Sequence, residues 1–306
     1  MPAKARPVNE SIQEINDDSW IIGDRILLSR RWSSPSDSAW SDSEGSFYVI
    51  SEASNPLPPS RPLSATTHIK KVYDAGEASA VWNIGGAFFK VKLLDPDATR
   101  EHVTLDYLHS KRPLSFATPD VYYHAEYDNR YYIVLSGLTG YTLTEAWPKL
   151  DEAMKQHYVA RVANVCKELA VWQANHVSGV DGRHLSETHL SRRGQPEDCS
   201  PQNLLANCQH LGMDCSTFVL YHCDLGPGNI IVNLADWSIG IIDWEMAGFV
   251  PREWIRTKFR VSGGMDLPGS DQELRVDWRR RIQKRLGEEG FADVAERWIV
   301  WWRNDD

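Results

Sequence analysis

The chain of 306 residues is longer than the commonest domain length of roughly 100–150 residues, which favours one two-lobed unit or two small domains. Its apolar fraction of 42% and charged fraction of 25% exclude a wholly disordered or fibrous protein, and the net charge of −9 disfavours nucleic acid as a partner. No run approaches the ~20 apolar residues that span a bilayer, and residues 1–18 lack an apolar signal core. We therefore expect a cytoplasmic protein without a membrane partner.

Residues 1–67 are expected to form an N-terminal extension that is partly irregular. Residues 33–66 are rich in Ser, Pro and acidic residues, and proline interrupts regular strand pairing. The stretches SWIIGDRILL (19–28) and FYVIS (47–51) are apolar enough to dock on the rest of the protein. The extension is therefore not expected to be disordered throughout.

Residues 68–137 predict a small, strand-rich lobe. Two apolar runs, SAVWNI and AFFKVKLL, are separated by Gly85-Gly86, and a tight turn between strands needs the positive φ that glycine adopts freely. Alternation places Lys90 and Lys92 on one face of the second strand. The stretch TREHVTLDYLHS has apolar residues at helical spacing, and RYYIVL is a further strand candidate.

Residues 138–306 predict a mainly helical lobe. Apolar residues recur every three or four positions in DEAMKQHYVARVANVCKELAVWQ (151–173), as in an amphipathic helix, and FADVAERWIVWWR (291–303) also has a helical pattern. The strand-like runs of this half, FVLY, NIIVNL and SIGIID, lie close together between residues 218 and 243. The predicted fold class is therefore α+β, with a β-rich N-lobe and a mainly helical C-lobe.

The segment FVLYHCDLGPGNIIVN (218–233) places His222, Asp224 and Asn229 between two apolar runs, in the pattern H-x-D-x4-N. Phosphoryl transfer needs a carboxylate that orients the attacking hydroxyl and accepts its proton, with an amide oxygen nearby that holds Mg²⁺. Asp243 ends the next strand candidate, where hairpin pairing would bring it to Asn229, so that both bind one cation. Asp224 and His222 are therefore candidate catalytic residues, and Asn229 and Asp243 candidate metal ligands.

The alternative for this segment is a plain turn. Asp, Gly, Pro and Asn are all turn residues, and His222 could simply brace the loop. A plain hairpin, however, does not need an acid at the end of its second strand. Asp243 therefore favours the catalytic interpretation.

A second group of residues can bind a nucleotide. Gly76 and Ser79 lie in a loop ahead of a strand, where backbone N–H groups and a hydroxyl can contact phosphate oxygens, and Lys90 on the partner strand can act as a point charge on the α- and β-phosphates. Glu101, early in the next helix, can pair with Lys90 and orient it. Lys92 competes with Lys90 for this role, and a plain turn beside a solvated strand has the same residue types.

Two clusters leave alternatives open. The cysteines near His210 and His222 lack a C-x2-C spacing, so buried free thiols are favoured over a structural zinc site; they are Cys199, Cys208, Cys215 and Cys223. The segment PREWIRTKFRVSGG (251–264) could bind an anionic substrate or solvate a helix; its basic residues are Arg252, Arg256, Lys258 and Arg260.

Together GEASAVW, FFK, Glu101, YHCDLGPGN and IIDWEMAG resemble the aminoglycoside phosphotransferase and choline kinase superfamily, in particular its fungal stand-alone members. The resemblance covers about residues 70–260. It implies a protein-kinase-like two-lobed fold that binds ATP and Mg²⁺ in the cleft. The domains are then an extension (1–67), a nucleotide-binding N-lobe (68–137), and a catalytic and substrate-binding C-lobe (138–306).

Residue by residue, the resemblance implies a role for each matched position. Asp224 would be the catalytic base, and Asn229 and Asp243 the metal ligands. Lys90 would be the phosphate-binding lysine and Glu101 its partner. The Leu135-Ser136-Gly137 stretch would be the hinge that offers backbone groups to adenine.

Three departures refine the resemblance. Cys223 stands where this superfamily usually has Gly and protein kinases have Arg. Asp243 is followed by Trp244-Glu245 instead of Phe-Gly, as in small-molecule kinases. No A-P-E element follows, which argues against a protein substrate.

The predicted function is Mg²⁺-dependent phosphoryl transfer from ATP, or alternatively GTP, to a hydroxyl of a small molecule. The alternatives are a nucleotide-binding pseudokinase and a biosynthetic tailoring enzyme that has kept the kinase fold. The resemblance identifies neither the acceptor nor the oligomeric state, because fold analogy does not determine a substrate.

Overall fold

The computed structural model describes residues 6–33, 39–191 and 197–303. These residues group into two compact units. The first comprises the described parts of Met1–Pro96 together with Pro119–Gly137, and the second comprises Asp97–Thr118 together with the described parts of Leu138–Asp306. The sequence assigns residues 97–118 to the N-lobe, whereas their contacts group them with the second unit.

The first unit consists of two antiparallel sheets. One has six strands in the order β4-β5-β3-β2-β1-β6, namely β1 (Ile12–Asn16), β2 (Ser19–Ile22), β3 (Ile26–Arg31), β4 (Trp40–Ser41), β5 (Phe47–Glu52) and β6 (Arg61–Pro62). The other has five strands in the order β10-β11-β9-β8-β7, namely β7 (Ile69–Asp74), β8 (Ser79–Ile84), β9 (Ala87–Leu93), β10 (Val121–Tyr127) and β11 (Arg130–Ser136).

The predicted glycine hairpin is confirmed. Strands β8 and β9 pair with Ile84 opposite Ala87, and Gly85 and Gly86 between them have φ of +56° and +81°. Both values lie in the left-handed region that a two-residue hairpin turn requires. Lys90 lies on the central strand of the sheet, because β9 also pairs with β11.

The N-terminal extension contains more regular structure than the sequence predicts. Its six-stranded sheet shares one hydrophobic core with the five-stranded sheet, in which Trp20 and Tyr48 of the first are buried together with Trp82 and Phe89 of the second. The indole N–H of Trp40 also donates to the carbonyl of Ile84, at 3.1 Å. The apolar stretches of the extension are therefore strands of a second sheet, because their alternating residues cover an apolar face that would otherwise contact water.

The second unit contains the helices, two small sheets and several 3₁₀ turns. The helices are α1 (Glu101–His109), α2 (Leu143–Ala146), α3 (Glu152–Leu169), α4 (Pro201–His210), α5 (Arg252–Val261), α6 (Gln272–Glu288) and α7 (Ala295–Arg303). The strands are β12 (Tyr141–Thr142), β13 (Gln173–Ala174), β14 (Ser178–Gly179), β15 (Phe218–Tyr221), β16 (Ile230–Val232), β17 (Ile239–Ile241) and β18 (Gly248–Val250).

The long predicted helix and the helix at the chain end are confirmed as α3 and α7. Helix α3 begins where Asp151 accepts the backbone N–H of Met154 at 2.8 Å, which satisfies one of the donors left unpaired at a helix start. Within the described ranges, no helix is both long enough and apolar enough to cross a membrane.

Two short antiparallel pairs position the segment that carries the H-x-D-x4-N pattern. Strand β15 pairs with β18 on one side of the segment, and β16 pairs with β17 on the other. The predicted hairpin of the runs NIIVNL and SIGIID is therefore confirmed. Both ends of residues 222–229 are held by strands, which restricts the conformations open to the residues between them.

Candidate active site

Residues 222–229, here called the Asp224 loop, connect β15 to β16. The side-chain NH₂ of Asn229 donates to the backbone oxygen of Asp224 at 2.8 Å and to its carboxylate at 3.0 Å. These two bonds hold the partly exposed carboxylate of Asp224 in one orientation. Because the NH₂ group makes both bonds, the amide oxygen of Asn229 is its atom that can bind a cation.

His222 ties the Asp224 loop to the neighbouring strand. Its ring is fully buried, with Nε2 donating to the carbonyl of Ile242 at 2.9 Å and Nδ1 accepting the backbone N–H of Asp224 at 3.3 Å. The ring also meets Trp244 edge to face at 4.6 Å. Since both nitrogens contact backbone groups, we assign His222 a positioning role beside Asp224.

Asp243 begins a tight turn directly after β17. The backbone N–H of Ile242 donates to the carbonyl of Asn229 at 3.0 Å, so Asn229 and Asp243 leave the two paired strands at the same end of the hairpin. Asp243 has φ of +65°, a left-handed conformation that Asp adopts more readily than most residues. The hairpin pairing that the sequence predicted between the strands of Asn229 and Asp243 is therefore present in the backbone.

Three carboxylates come together at this turn. Ligand oxygens of Glu101, Asp243 and Glu245 all lie within 4.8 Å of one another. Glu101 is 1% exposed and accepts the backbone N–H of Trp244 at 3.0 Å. Carboxylate oxygens are ligands that Mg²⁺ prefers, so this group of three carboxylates fits a magnesium ion, and Asn229 as a further ligand stays a prediction.

The sequence interpretation missed Glu245 and treated Glu101 only as a partner of Lys90. The signal for Glu245 was its position two residues after Asp243 in a short turn. No spacing could connect Glu101 to Asp243, because they are far apart in the chain and meet only through the packing of α1 on the turn. Lys90 and Glu101 belong to different units, and their pairing stays a prediction.

Cys223 occupies a position that explains why glycine is usual there. Its φ is +63°, and a left-handed conformation costs a residue with a side chain roughly 1–2 kcal/mol. The thiol is fully buried, and burial, followed by the charge of Glu187, raises its pKa well above the usual range. Cys223 is therefore an inert structural thiol.

The predicted nucleotide residues lie in the first unit, around residues 74–79, here called the Gly76 loop. Gly76 has φ of +65°, and its N–H donates to the carboxylate of Asp74 at 2.8 Å. Its carbonyl accepts the backbone N–H of Asn9, at 3.2 Å. Ser79 begins β8, and Lys90 on β9 is more buried than Lys92. Burial favours Lys90 over Lys92 as a fixed point charge, and nucleotide binding itself stays a prediction.

The predicted hinge ends the first unit. Leu135 is buried at the end of β11, and the backbone N–H of Ser136 donates to the carbonyl of Asp120 at 2.9 Å. A Cβ added at Gly137 would lie 2.3 Å from the carbonyl oxygen of Gly86. Glycine is therefore required by this close backbone approach, whatever Leu135 and Gly137 bind.

The sequence left open a zinc site at the cysteines and an anion site at the basic residues after Pro251. The structure favours structural roles for both groups. Within the ranges described, the cysteines and histidines do not gather as metal ligands; of the four clustered cysteines, Cys208 and Cys223 are buried thiols as expected, whereas Cys199 and Cys215 are only partly buried. The basic residues after Pro251 contact the second unit itself: Arg252 lies over the ring of Phe291, and the others pair with carboxylates, namely Arg256 with Asp293, Lys258 with Glu187, and Arg260 with Glu296. These contacts favour packing over capture of an anionic substrate.

Solved structures with a similar fold include aminoglycoside phosphotransferases. A thermostable mutant of APH(4)-Ia, in ternary complex with AMP-PNP and hygromycin B, has a TM-score of 0.51 at 16% identity and covers 76% of this chain and 82% of its own. APH(3'')-Id from Streptomyces rimosus has a TM-score of 0.49 at 16% identity, over 76% of this chain and 90% of its own. Comparison with curated proteins gives no significant match. At 16% identity, the structural similarity to APH(4)-Ia establishes the protein-kinase-like fold alone.

The sequence comparison is more decisive. The model of the phosphotransferase enzyme family matches residues 82–254, which is more than half of the chain. The match includes the Asp224 loop and the turn after Asp243. The chain therefore belongs to the phosphotransferase enzyme family, within the aminoglycoside phosphotransferase and choline kinase superfamily.

Proposed function

We propose that the protein transfers the γ-phosphoryl group of ATP to a hydroxyl group of a small molecule. The observation that carries the proposal is the Asp224 loop, in which Asn229 holds the carboxylate of Asp224 beside the hairpin that bears Asp243. The complex of APH(4)-Ia with AMP-PNP, an analogue of ATP, and hygromycin B supports a nucleotide donor and a small acceptor.

In this proposal Asp224 is the catalytic base. Its carboxylate accepts the proton of the acceptor hydroxyl while the hydroxyl oxygen bonds to the γ-phosphorus. The bond from that phosphorus to the β–γ bridging oxygen breaks, and ADP leaves. Asn229 and His222 hold Asp224 in place by the bonds described above. The base therefore loses less conformational entropy when it reaches the reactive geometry.

The residues proposed to bind the nucleotide and the ion are those that the sequence predicts, together with Glu245. Lys90 and the backbone N–H groups of the Gly76 loop, with Ser79, would contact phosphate oxygens, and Leu135 to Gly137 would contact adenine. Asn229 and Asp243, with Glu101 and Glu245, would hold Mg²⁺. When bound, the ion neutralises charge on the phosphate oxygens.

The proposal is tested by screening nucleotide consumption against hydroxylated metabolites, amino sugars and choline analogues, with Mg·ATP and Mg·GTP as donors. The Asp224→Asn protein is the blank, because it keeps the shape of the side chain but removes the base. Asp236→Asn is the matched control, since Asp236 is exposed in the β16–β17 turn and only caps Ser238. We expect turnover in the wild type and the control, and retained nucleotide binding without transfer in Asp224→Asn.

Product mass separates the alternatives. A gain of one phosphoryl group supports the kinase, whereas loss of water from the acceptor supports a tailoring enzyme. Mg·ATP binding without consumption across the whole panel supports a pseudokinase. Full turnover by Asp224→Asn would remove Asp224 from its assigned role.

A further inference from the structure

Two rings bind the carbonyl groups at the end of strand β17. The indole N–H of Trp244 donates to the carbonyl of Ile241 at 2.9 Å, and Nε2 of His222 donates to the carbonyl of Ile242 at 2.9 Å. Carbonyl groups at a strand end need donors from outside the ladder. Both rings are fully buried and meet edge to face at 4.6 Å. The two side chains therefore form one packed unit at the end of the hairpin.

The backbone and the second face of Trp244 are held by α1 and the segment that follows it. The backbone N–H of Trp244 donates to the buried carboxylate of Glu101 at 3.0 Å. The ring of Phe116 stacks on the indole, with 5.9 Å between the centroids and 20° between the planes. Ala117, next to Phe116, makes two backbone hydrogen bonds to β17, both at 2.9 Å. Contacts on several sides therefore give the indole one defined position.

The position of Trp244 determines the conformation of Asp243. The indole binds a carbonyl three positions earlier in the chain, and the left-handed conformation of Asp243, with φ of +65°, turns the chain back toward β17. Such a conformation carries strain and persists only where its surroundings determine it. The backbone and indole N–H groups of Trp244 supply two of the bonds that do so. Trp244 therefore orients a candidate metal ligand.

His222 connects the same indole to the candidate base. Nδ1 of His222 accepts the backbone N–H of Asp224 at 3.3 Å, while its ring packs on Trp244. Aromatic pairs with this geometry contribute more than their buried area alone. The indole therefore supports the side chain that holds the backbone of Asp224.

We propose that Trp244 is a positioning residue that couples the Asp224 loop to residues 243–246, here called the Asp243 turn, so that one indole orients both the candidate base and a candidate metal ligand. Its N–H group is essential to this role, because a phenylalanine could fill the same space but could not bind the carbonyl of Ile241. The inference rests on the proposed function for its catalytic meaning. The structural part, the shared order of the two segments, is measurable without any activity.

The test uses two variants of Trp244 in the full chain and one matched control. Trp244→Phe keeps an apolar ring against Phe116 but lacks the N–H that binds Ile241, and Trp244→Leu removes the ring. Trp298→Phe is the control. Trp298 is also buried, also donates its indole N–H to a backbone carbonyl, that of His189 at 2.7 Å, and also stacks on a histidine ring, but it lies on α7.

For Mg·ATP hydrolysis without added acceptor, we expect kcat to fall about 10-fold in Trp244→Phe and about 100-fold in Trp244→Leu, with KM for Mg·ATP near the wild-type value. The magnesium concentration at half-maximal rate should rise in both variants, because the Asp243 turn loosens. Trp298→Phe should lose as much melting temperature as Trp244→Phe, roughly 5 °C. Its kcat and magnesium dependence should match the wild type.

Backbone hydrogen exchange is a readout that needs no turnover. Peptides covering residues 220–230 and 239–248 are expected to exchange faster together in Trp244→Phe and Trp244→Leu, while a peptide of α3 stays as in the wild type. Trp298→Phe is expected to change none of the three peptides.

Two variants of Glu101 separate its bond to Trp244 from its charge. Glu101→Gln keeps an oxygen that can accept the backbone N–H of Trp244, whereas Glu101→Ala removes it. Exchange of residues 239–248 should therefore stay near the wild type in Glu101→Gln and accelerate in Glu101→Ala. Equal acceleration in both would show that the charge, rather than the bond to Trp244, orders the turn, and would contradict the inference.

Two further results would overturn the coupling. If Trp244→Phe loses melting temperature as the control does but keeps the wild-type kcat and magnesium dependence, the indole only fills the core. If exchange accelerates in residues 239–248 alone, the Asp224 loop is not coupled to the Asp243 turn. If the wild type consumes no nucleotide at all, the proposed function fails instead, and hydrogen exchange still decides whether Trp244 orders both segments.

Discussion

The two loops proposed to act in phosphoryl transfer are held in different ways. In the Asp224 loop, His222 and Cys223 are completely buried; the ring of His222 donates to the carbonyl of Ile242, and the thiol of Cys223 donates to the carbonyl of Tyr221. The Gly76 loop is held by Asn9 and Asp74, whose side chains bond at 3.1 Å in an exposed position. Exposed polar contacts contribute less than buried ones because water competes for them.

This difference suggests separate mechanical requirements. A catalytic base must keep its geometry within a fraction of an ångström, whereas a loop that closes over phosphates must adjust as the nucleotide enters. Substitutions around the Asp224 loop should therefore act on kcat, and substitutions around the Gly76 loop on KM for the nucleotide.

Beyond Asp224→Asn, the largest effect is expected from Asp243→Asn. Asn also adopts left-handed conformations, so the turn should persist while one charge of the Glu101–Asp243–Glu245 group is lost. Mg²⁺-dependent turnover should fall by roughly 100-fold or more, measured by nucleotide consumption across a magnesium titration. An unchanged magnesium dependence would remove Asp243 from the ligand set.

The acid stability of the second unit should depend on Glu187. Burial alone would raise its pKa, but the Lys258 ammonium and the hydrogen bonds from His189 lower it from 4.5 to about 2. A depressed carboxyl pKa stabilises the fold above pH 4.5, and this contribution is lost as the pH falls toward 2. Denaturant unfolding should show a loss on the order of 3 kcal/mol across this window, and the profile of Glu187→Gln should be flatter. Parallel profiles would contradict the assignment.

Two substitutions of Cys223 separate backbone strain from side-chain contact. Cys223→Gly and Cys223→Ala both remove the thiol, but only glycine accepts φ of +63° without strain. The glycine variant should be more stable than the alanine variant by about 1 kcal/mol, measured by denaturant unfolding. Equal stability would show that the left-handed conformation carries no strain.

The smallest effect is expected from Asn9→Ala, which removes the side-chain bonds to Asp74. If the lost bonds destabilise the ordered conformation of the Gly76 loop by about 1 kcal/mol, the KM for Mg·ATP should rise about fivefold, with kcat unchanged. Asn16→Ala is the control, because Asn16 is exposed in the same extension and bonds only within its own turn. A lower kcat in Asn9→Ala, rather than a higher KM, would contradict the contrast between the loops.

Features that depend on local sequence were predictable. The Gly85-Gly86 turn, helix α3 and the β16–β17 hairpin follow from residues close together in the chain. The Asp224 loop was visible because its residues lie within eight positions. Such patterns report backbone geometry directly.

Contacts between distant residues were not predictable in the same way. Glu187 and Lys258 are 71 positions apart and form no motif, and Lys258 belongs to a run of basic residues that is typical of an ordinary helix. The N-terminal sheet was also missed, because its strands are short and separated by residues rich in proline and serine. Whether such strands pair depends on the apolar face that they cover.

The shared core of the two sheets in the first unit has a practical consequence for recombinant work. A fragment trimmed to the residues matched by the family model would lose the strands that bury Trp82 and Phe89. The exposed apolar face would favour aggregation over soluble expression. Assays that search for the acceptor therefore require protein that begins upstream of Val8.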